Sequence, residues 1–503
     1  MRSLGNHNPH RYILALDQGT TNTTSLVFDQ QGSVLATAQR EIRQIFPQPG
    51  WVEHDALEIW ETQLATAREA IARAGVSVDH IAGIGISNQR ETTVVWDRNT
   101  GKPISHAIVW QCRRTTELCS RFRADLSQMI GEKTGLLLDP YFSGTKVRWL
   151  LDHIPGARAS AQRGELLFGT IDSWLLYNLA GHHLTDISNA SRTLLFNIHQ
   201  RVWDEDICRA LNVPQQMLPR VLPSCASFGR TRKSLFGAEI PICGVIGDQQ
   251  AALFGQACFC QGEAKNTYGT GCFMLLNTGK YPVRSHEGLL TTIAWDIGDG
   301  PIYALEGSVF VAGAVVQWLR DNLGILENAS DSERLAVEAG GAGGVYFVPA
   351  FVGLGAPYWD ADARGTIVGL TRGTSREHIT RAALESIAYQ TRQLTDAMEQ
   401  DYGHPIASLK ADGGASANSF LMQFQADILG CPVIVPQTRE ITATGAAYMA
   451  GLKLGWWNGV DEIRRVWREQ SRYRPTMPVH AVNQLLENWR RAVEVARSFR
   501  GGP

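Results

Sequence analysis

Residues 12–29 read YILALDQGTTNTTSLVFD, and residues 264–277 read AKNTYGTGCFMLLN. In each stretch a glycine-threonine turn separates two short runs rich in apolar or β-branched residues, a pattern that indicates two strands joined by a tight turn. Because this unit occurs twice, we expect two similar halves with a boundary near residues 256–262. The predicted strands are 12–16, 25–29, 264–268 and 272–277, around turns at 17–22 and 269–271.

Strands and helices alternate along the rest of the chain, which indicates α/β architecture. Helix 55–74 is expected to begin with a capping box of Asp55 and Glu58, and helix 374–398 with the pair Thr374 and Glu377. A ligand is expected in the cleft between the two halves. The other predicted elements are strands 33–39, 81–87, 242–246 and 410–412, and helices 249–254, 311–320 and 418–429.

The composition is that of an ordinary globular protein, with 503 residues of which 44% are hydrophobic and 19% are charged. The 47 basic and 49 acidic side chains nearly cancel, which argues against dedicated nucleic-acid binding. Nine cysteines without a C-x-x-C pair favour free thiols in a reducing compartment, so we expect a cytoplasmic protein. The sequence contains no run of 18 apolar residues, so we expect no stable membrane insertion. Residues 1–11 are expected to be a disordered tail.

The two glycine-threonine turns are candidate phosphate sites, because such turns can direct several backbone N–H groups at one anion. They read DQGTT at 17–21 and YGTG at 268–271. Asp17 at the start of the first turn is a candidate ligand for Mg²⁺. Taken alone, the first turn is more often an ordinary hairpin, and the second has the same alternative. The two turns together are a stronger signal than either.

Two charged motifs follow predicted strands. Asp248 lies where a strand gives way to a helix, a position that favours an ionised carboxylate suited to accept a proton from a hydroxyl. Arg90 and Glu91 follow strand 81–87 and can bind neighbouring hydroxyls, one as donor and one as acceptor. The alternatives are a simple N-cap for Asp248 and a solvated surface pair for the other two.

A glycine-rich segment and three aromatic residues complete the candidates. Residues 412–418 read DGGASAN, in which the glycines allow close approach of a flat base and Asn418 can pair with its edge. An ordinary strand-to-helix turn capped by Asn418 is the alternative. Trp110, Tyr141 and Phe273 can wall a small site and exclude water, although aromatic residues more often belong to a core.

Taken together and in order, these motifs resemble those of the FGGY carbohydrate kinases of the actin-like ATPase superfamily. The resemblance covers residues 12 to about 455 and implies two ribonuclease H-like α/β domains with a catalytic cleft between them. The implied domains are 12–257, for the substrate and phosphates, and 258–503, for the nucleotide. The motifs that carry it are ALDQGTT (15–21), PGWVEHD (49–55), SNQRETT (87–93), VWQCRR (109–114), DPYFSGTK (139–146), GDQQAALFGQ (247–256), NTYGTGCF (266–273) and GLGAPYW (353–359).

The resemblance implies transfer of the γ-phosphate of ATP, with Mg²⁺, to a terminal hydroxyl of glycerol, giving sn-glycerol 3-phosphate and ADP. It implies Asp248 as general base, and Asp17 with Asp248 as metal ligands. A homodimer or homotetramer is also implied. The implied substrate residues are Arg90, Glu91, Trp110, Tyr141, Asp248, Gln249 and Phe273, and the implied nucleotide residues are Thr20, Thr21, Asn22, Thr270, Gly313, Gln317, Gly414 and Asn418.

The chain departs from the family pattern in two places. Thr24 stands where relatives usually have a basic residue beside the phosphates, so we expect weaker ATP binding or slower transfer. The segment 233–239 lacks the Gly-rich, Arg-containing pattern with which bacterial relatives bind fructose 1,6-bisphosphate, and Glu239 adds a carboxylate that repels such an effector. We therefore expect little response to that sugar.

Two alternatives to this function remain open. The first is a kinase of the same family that acts on another polyol or sugar. The second is a non-catalytic ATP-binding switch of the actin or chaperone type, which only Thr24 favours. Arg90, Glu91 and Asp248 argue against the switch, because a switch has no need of a hydroxyl site.

Overall fold

The computed structural model describes residues 12–360 and 362–499. The predicted tail at residues 1–11 lies outside the described residues. The chain forms two principal sheets, one built from each half of the sequence, with helices packed between and around them.

The elements of the first half are as follows. The strands are β1 (Tyr12–Gln18), β2 (Asn22–Phe28), β3 (Val34–Glu41), β4 (Glu53–His54), β5 (Ile81–Asn88), β6 (Val94–Asp97), β7 (Ala107–Ile108), β8 (Leu166–Gly169), β9 (Leu184–Asp186), β10 (Phe196–Asn197), β11 (Val202–Trp203), β12 (Arg220–Leu222) and β13 (Ile242–Gly247). The helices are α1 (Ala56–Ala74), α2 (Thr116–Thr134), α3 (Ser143–His153), α4 (Ala157–Gln162), α5 (Ile171–Ala180), α6 (Ile187–Ala190), α7 (Glu205–Ala210), α8 (Lys233–Phe236) and α9 (Asp248–Gly255), with short 3₁₀ turns at Val78–His80 and Gln215–Met217.

The second half continues the numbering. Its strands are β14 (Ala264–Tyr268), β15 (Cys272–Gly279), β16 (Leu290–Asp296), β17 (Pro301–Val309), β18 (Tyr346–Val348), β19 (Thr366–Val368), β20 (Leu409–Asp412), β21 (Val433–Pro436) and β22 (Glu469–Tyr473). Its helices are α10 (Gly313–Asp321), α11 (Asp331–Glu338), α12 (Arg376–Tyr402), α13 (Ser419–Leu429), α14 (Ile441–Lys453), α15 (Val460–Val466) and α16 (Val479–Ser498), with a 3₁₀ turn at Gly414–Ala417.

The two sheets repeat one topology. The first has the strand order β13-β5-β1-β2-β3, in which β1 is antiparallel to β2 and parallel to β5. The second contains the order β21-β20-β14-β15-β17, in which β14 is antiparallel to β15 and parallel to β20, with β22 and β16 added at its edges. The duplicated α/β architecture predicted from the two glycine-threonine turns is therefore confirmed.

Helix α9 of the first half and helix α14 of the second half pack against each other and join the halves. Helix α14, from the second half, packs on the first sheet, where Ala443 and Ala447 join Ile13 and Ala15 in one buried cluster. Glycines allow this close approach. A Cβ at Gly85 would lie only 2.1 Å from the Ala446 carbonyl oxygen, and a Cβ at Gly445 only 1.9 Å from the Ala251 carbonyl oxygen. Side chains from either side of residue 257 share this cluster, so the structure does not separate the chain at that point. The predicted domain boundary at residue 257 stays a prediction.

Some predicted helix starts are wrong. The capping box of α12 consists of Ser375 and His378 rather than Thr374 and Glu377, and the helix runs on to Tyr402. Such errors are local, because neighbouring Thr and Ser residues offer equivalent caps.

At α1, Asp55 caps the Leu57 N–H as predicted. Glu58 completes no capping box, because its carboxylate accepts instead from the backbone N–H of Arg43 at 3.0 Å. Strand β2 begins at Asn22 rather than at residue 25. Thr24 therefore lies inside β2, where it pairs with Asp17 of the neighbouring strand β1.

Two further features concern membrane spans and disulfide bonds. Across residues 12–360 and 362–499, the structure contains no helix that is both long and apolar enough to cross a membrane. The nine cysteines all lie in this described part and are unpaired.

Candidate active site

The carboxyl ends of β1, β5 and β13 meet at one edge of the first sheet, because these strands are parallel. Asp17 near the end of β1 accepts a hydrogen bond of 2.7 Å from the Ser87 hydroxyl of β5. Asp248 begins α9 directly after β13. Burial is the main cause that raises the pKa of Asp17 to about 7, against the lowering effect of the Ser87 hydrogen bond, and the negative charges of Asp248 and Glu440 contribute to the rise.

The first glycine-threonine turn is tightly held but keeps free donors. The Gly19 N–H closes the turn on the Asn22 carbonyl at 2.9 Å. Thr20 is fixed from two sides, since Trp110 Nε1 donates to its hydroxyl and Gln44 Nε2 to its carbonyl, both at 2.8 Å. Within the described residues no backbone bond uses the N–H of Thr20 or Thr21. These two groups are available to an anion.

The second turn is joined to the start of α10. The Gly313 N–H donates to the Gly269 carbonyl, and the N–H groups of Ala312 and Ala314 donate to the Thr270 carbonyl. A Cβ at Gly313 would lie 2.6 Å from the Gly269 carbonyl oxygen, so glycine is required there. Because these bonds define the helix start, α10 begins at Gly313 rather than at the predicted residue 311.

The glycine-rich segment after β20 reaches the same turn. Gly413 has a φ of 87°, and a Cβ there would lie 2.5 Å from the Tyr268 carbonyl oxygen. Asn418 caps α13 through its Oδ1, which accepts from the Leu421 N–H at 2.9 Å, so the capping interpretation is confirmed. Gly414 and Gln317 are exposed. A role of these residues in nucleotide binding stays a prediction.

Arg90 and Glu91 are buried, with 2% and 1% exposure, so the surface-pair alternative is wrong. Arg90 has a φ of 58°, a conformation that non-glycine residues rarely adopt. Its Nε lies 3.1 Å from Oδ1 of Asp248, and its Nη2 donates to the Tyr141 hydroxyl at 3.0 Å. Three of the predicted substrate residues are therefore brought into one contact group around Arg90.

Aromatic rings from both halves form a wall beside this group. The centroid of Trp110 lies 5.5 Å from that of Tyr141 and 6.0 Å from that of Phe273. Phe273 belongs to β15 of the second sheet, whereas the other two belong to the first half. The wall thus spans the cleft, and through Trp110 it also contacts Thr20 of the first glycine-threonine turn.

Asp248 has the environment of a proton acceptor. Gly247 rather than Asp248 is the N-cap of α9, so the simple-cap alternative is wrong. Burial raises the pKa of Asp248 above its usual value, although the charge of Arg90 acts in the opposite direction. Oδ1 accepts from the Gln249 N–H at 2.7 Å, and Oδ2 has no hydrogen bond to the described residues. The side chain is 25% exposed, so Oδ2 is open to a ligand.

Gln249 is held by a lysine that sequence reasoning missed. Lys265 of β14 donates to Gln249 Oε1 and, at 2.8 Å, to the Thr267 hydroxyl. Burial lowers the pKa of Lys265 to about 8, against the opposing effect of Asp412. Since an ammonium only donates, Gln249 must direct its carbonyl oxygen at Lys265, which leaves its amide nitrogen as the free donor.

Arg192 and Glu306 were also missed. The Glu306 carboxylate lies 2.6 Å from Nη1 and 3.0 Å from Nη2 of Arg90. Arg192 Nη2 donates to Glu306 at 2.9 Å, and its Nε donates to Glu91 at 2.7 Å. A glutamate inside the otherwise apolar strand PIYALEGSV was the one sequence signal available for this group.

The carboxylates of Asp17 and Asp248 are the candidate ligands for Mg²⁺. The described residues contain no group of three or more His, Cys, Asp or Glu side chains arranged to hold a metal. Two carboxylates that repel each other, each with one oxygen free of hydrogen bonds, nevertheless fit Mg²⁺, which is commonly bound by one or two carboxylates with substrate phosphates and water.

The chain is similar to known proteins in its family, its sequence and its structure. Family models for the N-terminal and C-terminal domains of the FGGY family of carbohydrate kinases match residues 12–255 and 264–454. The chain is 60% identical to a glycerol kinase of Caldanaerobacter subterraneus over 97% of its length and 99% of that protein. A glycerol kinase of Deinococcus radiodurans is 57% identical over 97% of the chain and 98% of that protein.

Solved structures agree in fold. The glycerol kinase of Plasmodium falciparum with ADP superposes with a TM-score of 0.91 at 38% identity, covering 96% of this chain and 98% of that one. A xylulose kinase from Lactobacillus acidophilus has a TM-score of 0.85 at 21% identity, covering 97% of each chain, which shows likeness of fold alone. With both halves matched and the cleft residues in place, the chain belongs to the FGGY family of carbohydrate kinases.

Proposed function

We propose that this protein is an ATP-dependent glycerol kinase, which transfers the γ-phosphate of ATP to a terminal hydroxyl of glycerol and releases sn-glycerol 3-phosphate and ADP. One observation carries the proposal. Asp248 has one carboxylate oxygen fixed by the Gln249 N–H and near Arg90, and the other free of hydrogen bonds in a partly open cleft. A free acceptor in that setting is what deprotonation of a hydroxyl requires.

The substrate contacts follow from the donors and acceptors present. Arg90 and the amide nitrogen of Gln249 would donate to hydroxyl oxygens, whereas Glu91 would accept from a hydroxyl. Tyr141 would hold a hydroxyl from the side on which it already contacts Arg90. The carbon chain would pack on the rings of Trp110 and Phe273, which are near enough to enclose a molecule as small as a three-carbon polyol.

In the transfer step, the terminal hydroxyl gives its proton to Asp248 as its oxygen attacks the γ-phosphorus. The new O–P bond forms as the bond from phosphorus to the ADP oxygen breaks, and ADP leaves with that electron pair. Reactions of this kind depend on alignment and charge neutralisation more than on covalent help from the protein. The aromatic wall keeps water from competing for the phosphate.

The nucleotide would lie along the two turns. Thr20, Thr21 and Asn22 would bind the terminal phosphates from the first half, and Thr270 from the second. Bound Mg²⁺ would neutralise phosphate charge, with Asp17 and Asp248 as its protein ligands. The residues proposed to hold the rest of the nucleotide are Gly313, Gln317, Gly414 and Asn418.

Several wider features belong to the same proposal. The substrate domain would comprise residues 12–257 and the nucleotide domain residues 258–503. We propose a homodimer or homotetramer, by likeness to the family. A cytoplasmic location is supported by nine unpaired cysteines, which fit a reducing compartment.

A coupled assay of ADP formation tests the function. ADP should form only when ATP, Mg²⁺ and glycerol are all present, and a panel of polyols and sugars should give lower kcat/KM than glycerol. A better substrate within the panel would favour the rival kinase of the same family. ATP binding without any polyol-dependent ADP release would favour the non-catalytic switch.

A further inference from the structure

We propose that Glu306 is a positioning residue that holds Arg90 in its substrate-binding orientation from the opposite half of the molecule. The inference rests on the proposed function and deepens it. Glu306 is fully buried on β17 of the second sheet, whereas Arg90 follows β5 of the first. The two residues are 216 positions apart in the chain.

The contact fixes the plane of the guanidinium. Both carboxylate oxygens of Glu306 accept from Arg90, one from each terminal nitrogen, at 2.6 and 3.0 Å. Such two-point contacts are geometrically specific because both groups are planar. With that plane fixed, Nε of Arg90 faces Asp248 and Nη2 also reaches the Tyr141 hydroxyl. Glu306 thereby sets the direction of the donors that a substrate meets.

Arg192 extends the same control to Glu91. It donates from Nη2 to Glu306 and from Nε to Oε1 of Glu91. The Oε1 atom of Glu91 is thus engaged, and Oε2 has no hydrogen bond to any described residue. The second oxygen remains as the acceptor offered to a hydroxyl.

Charge balance makes the arrangement sensitive to loss of one member. Arg90 and Arg192 are balanced by Glu91 and Glu306, and all four are at most 2% exposed. Removing one carboxylate leaves a buried cation without its partner. The nearest remaining carboxylate for Arg90 is that of Asp248, so a released guanidinium would turn toward the proposed base.

Because β17 and β5 lie in different sheets, the substrate arginine is correctly placed only while the two halves are together. Substrate binding and apposition of the halves are therefore coupled through the ion pairs that Glu306 forms with Arg90 and Arg192. This coupling distinguishes Glu306 from a residue that only supports the core of its own half.

The test compares Glu306→Gln with the matched control Glu385→Gln. Glu385 is also a buried glutamate of the second half, 5% exposed, and its partners are Arg381 at 2.8 Å and Tyr389 rather than residues of the Arg90 group. We expect Glu306→Gln to raise the KM for glycerol roughly 10- to 100-fold. The KM for ATP and the thermal stabilisation by ADP should stay near wild type, while stabilisation by glycerol is lost. The control should change neither KM.

A KM for glycerol within twofold of wild type in Glu306→Gln, or an equal rise in both KM values, would overturn the inference. Should that variant not fold, Arg192→Lys decides. It keeps the charge but loses the separate donors by which Nε contacts Glu91 and Nη2 contacts Glu306, and it should also raise only the KM for glycerol. If the wild type forms no ADP with glycerol, the proposed function fails. If the wild type is active and the KM for glycerol of the variant is unaffected, only the inference about Glu306 fails.

Discussion

The Nε of Arg90 lies 3.1 Å from Oδ1 of Asp248, and this contact brings the proposed substrate-binding cation and the proposed proton acceptor into one cleft. Arg90 follows β5 and Asp248 follows β13, two neighbouring parallel strands that end at the same edge. The pair therefore arises from sheet topology rather than from proximity in sequence. It leaves Oδ2 of Asp248 free to accept a proton.

Asp248→Asn should lower kcat by roughly 10²–10⁴-fold, because the amide keeps the shape of the side chain but cannot accept the proton. Glycerol- and Mg²⁺-dependent ADP formation measures the loss. Stabilisation by glycerol should persist, and this control separates lost chemistry from lost substrate binding. A variant that retains more than a tenth of wild-type turnover contradicts the role of Asp248.

Local patterns predicted the duplicated hairpin and the strand ends that carry Asp17, Arg90 and Asp248, because parallel strands bring consecutive motifs to one edge. They did not predict Glu306 as the partner of Arg90. That pairing joins the two halves, and no periodicity in sequence specifies which strand of one sheet faces which loop of the other. The placement of α14 on the first sheet has the same origin.

Thr24→Arg should lower the KM for ATP or raise kcat. Thr24 pairs with Asp17 across β1 and β2, and cross-strand partners project from the same face of a sheet. An arginine there would add a cation beside the phosphate turn. Steady-state kinetics with ATP as the varied substrate measure the effect, and Thr24→Gln controls for side-chain length. Unchanged kcat and KM in the arginine variant would count against a deficit of charge at this position.

Fructose 1,6-bisphosphate is expected to have little effect on activity. Glu239 lies 3.6 Å from Nε of Arg230, so one of the cations beside this segment already faces a carboxylate. A phosphorylated effector would also be repelled by Glu239 itself. Calorimetric titration of the wild type with fructose 1,6-bisphosphate should show no heat of binding. The Glu239→Gln variant should give a larger response to that sugar than the wild type. Tight binding by the wild type would refute the expectation.

Acid should destabilise the protein through His54. Burial lowers the pKa of His54 to about 4, whereas an unfolded histidine titrates near 6.5. Between these pH values the imidazole is protonated in the unfolded chain but not in the folded one. The contribution of His54 to the free energy of unfolding is therefore full above about pH 6.5 and falls as the pH drops toward 4. The effect between pH 7 and pH 5 is about 2 kcal/mol.

The hydrogen bonds of His54 are compatible with a neutral ring. Its Nε2 lies 2.9 Å from Gln44 Oε1, and its Nδ1 faces the amide nitrogen of Gln89, which is itself a donor. His54→Gln should reduce the loss of thermal midpoint between pH 7 and pH 5, and exposed His80→Gln is the control. Equal pH dependence in the wild type and His54→Gln would exclude this histidine as the cause.

Gly445→Ala should weaken both the fold and the reaction. An added Cβ would lie 1.9 Å from the carbonyl oxygen of Ala251, so α14 and α9 must move apart. Overpacking of this kind destabilises by roughly 1–3 kcal/mol. Because α9 begins at Asp248, the same displacement moves the proposed base, and kcat should fall together with the thermal midpoint. Gly341→Ala is the control, since its Cβ would meet no atom within 4 Å. If the two variants match in midpoint and in kcat, the contact between α9 and α14 does not set the position of Asp248.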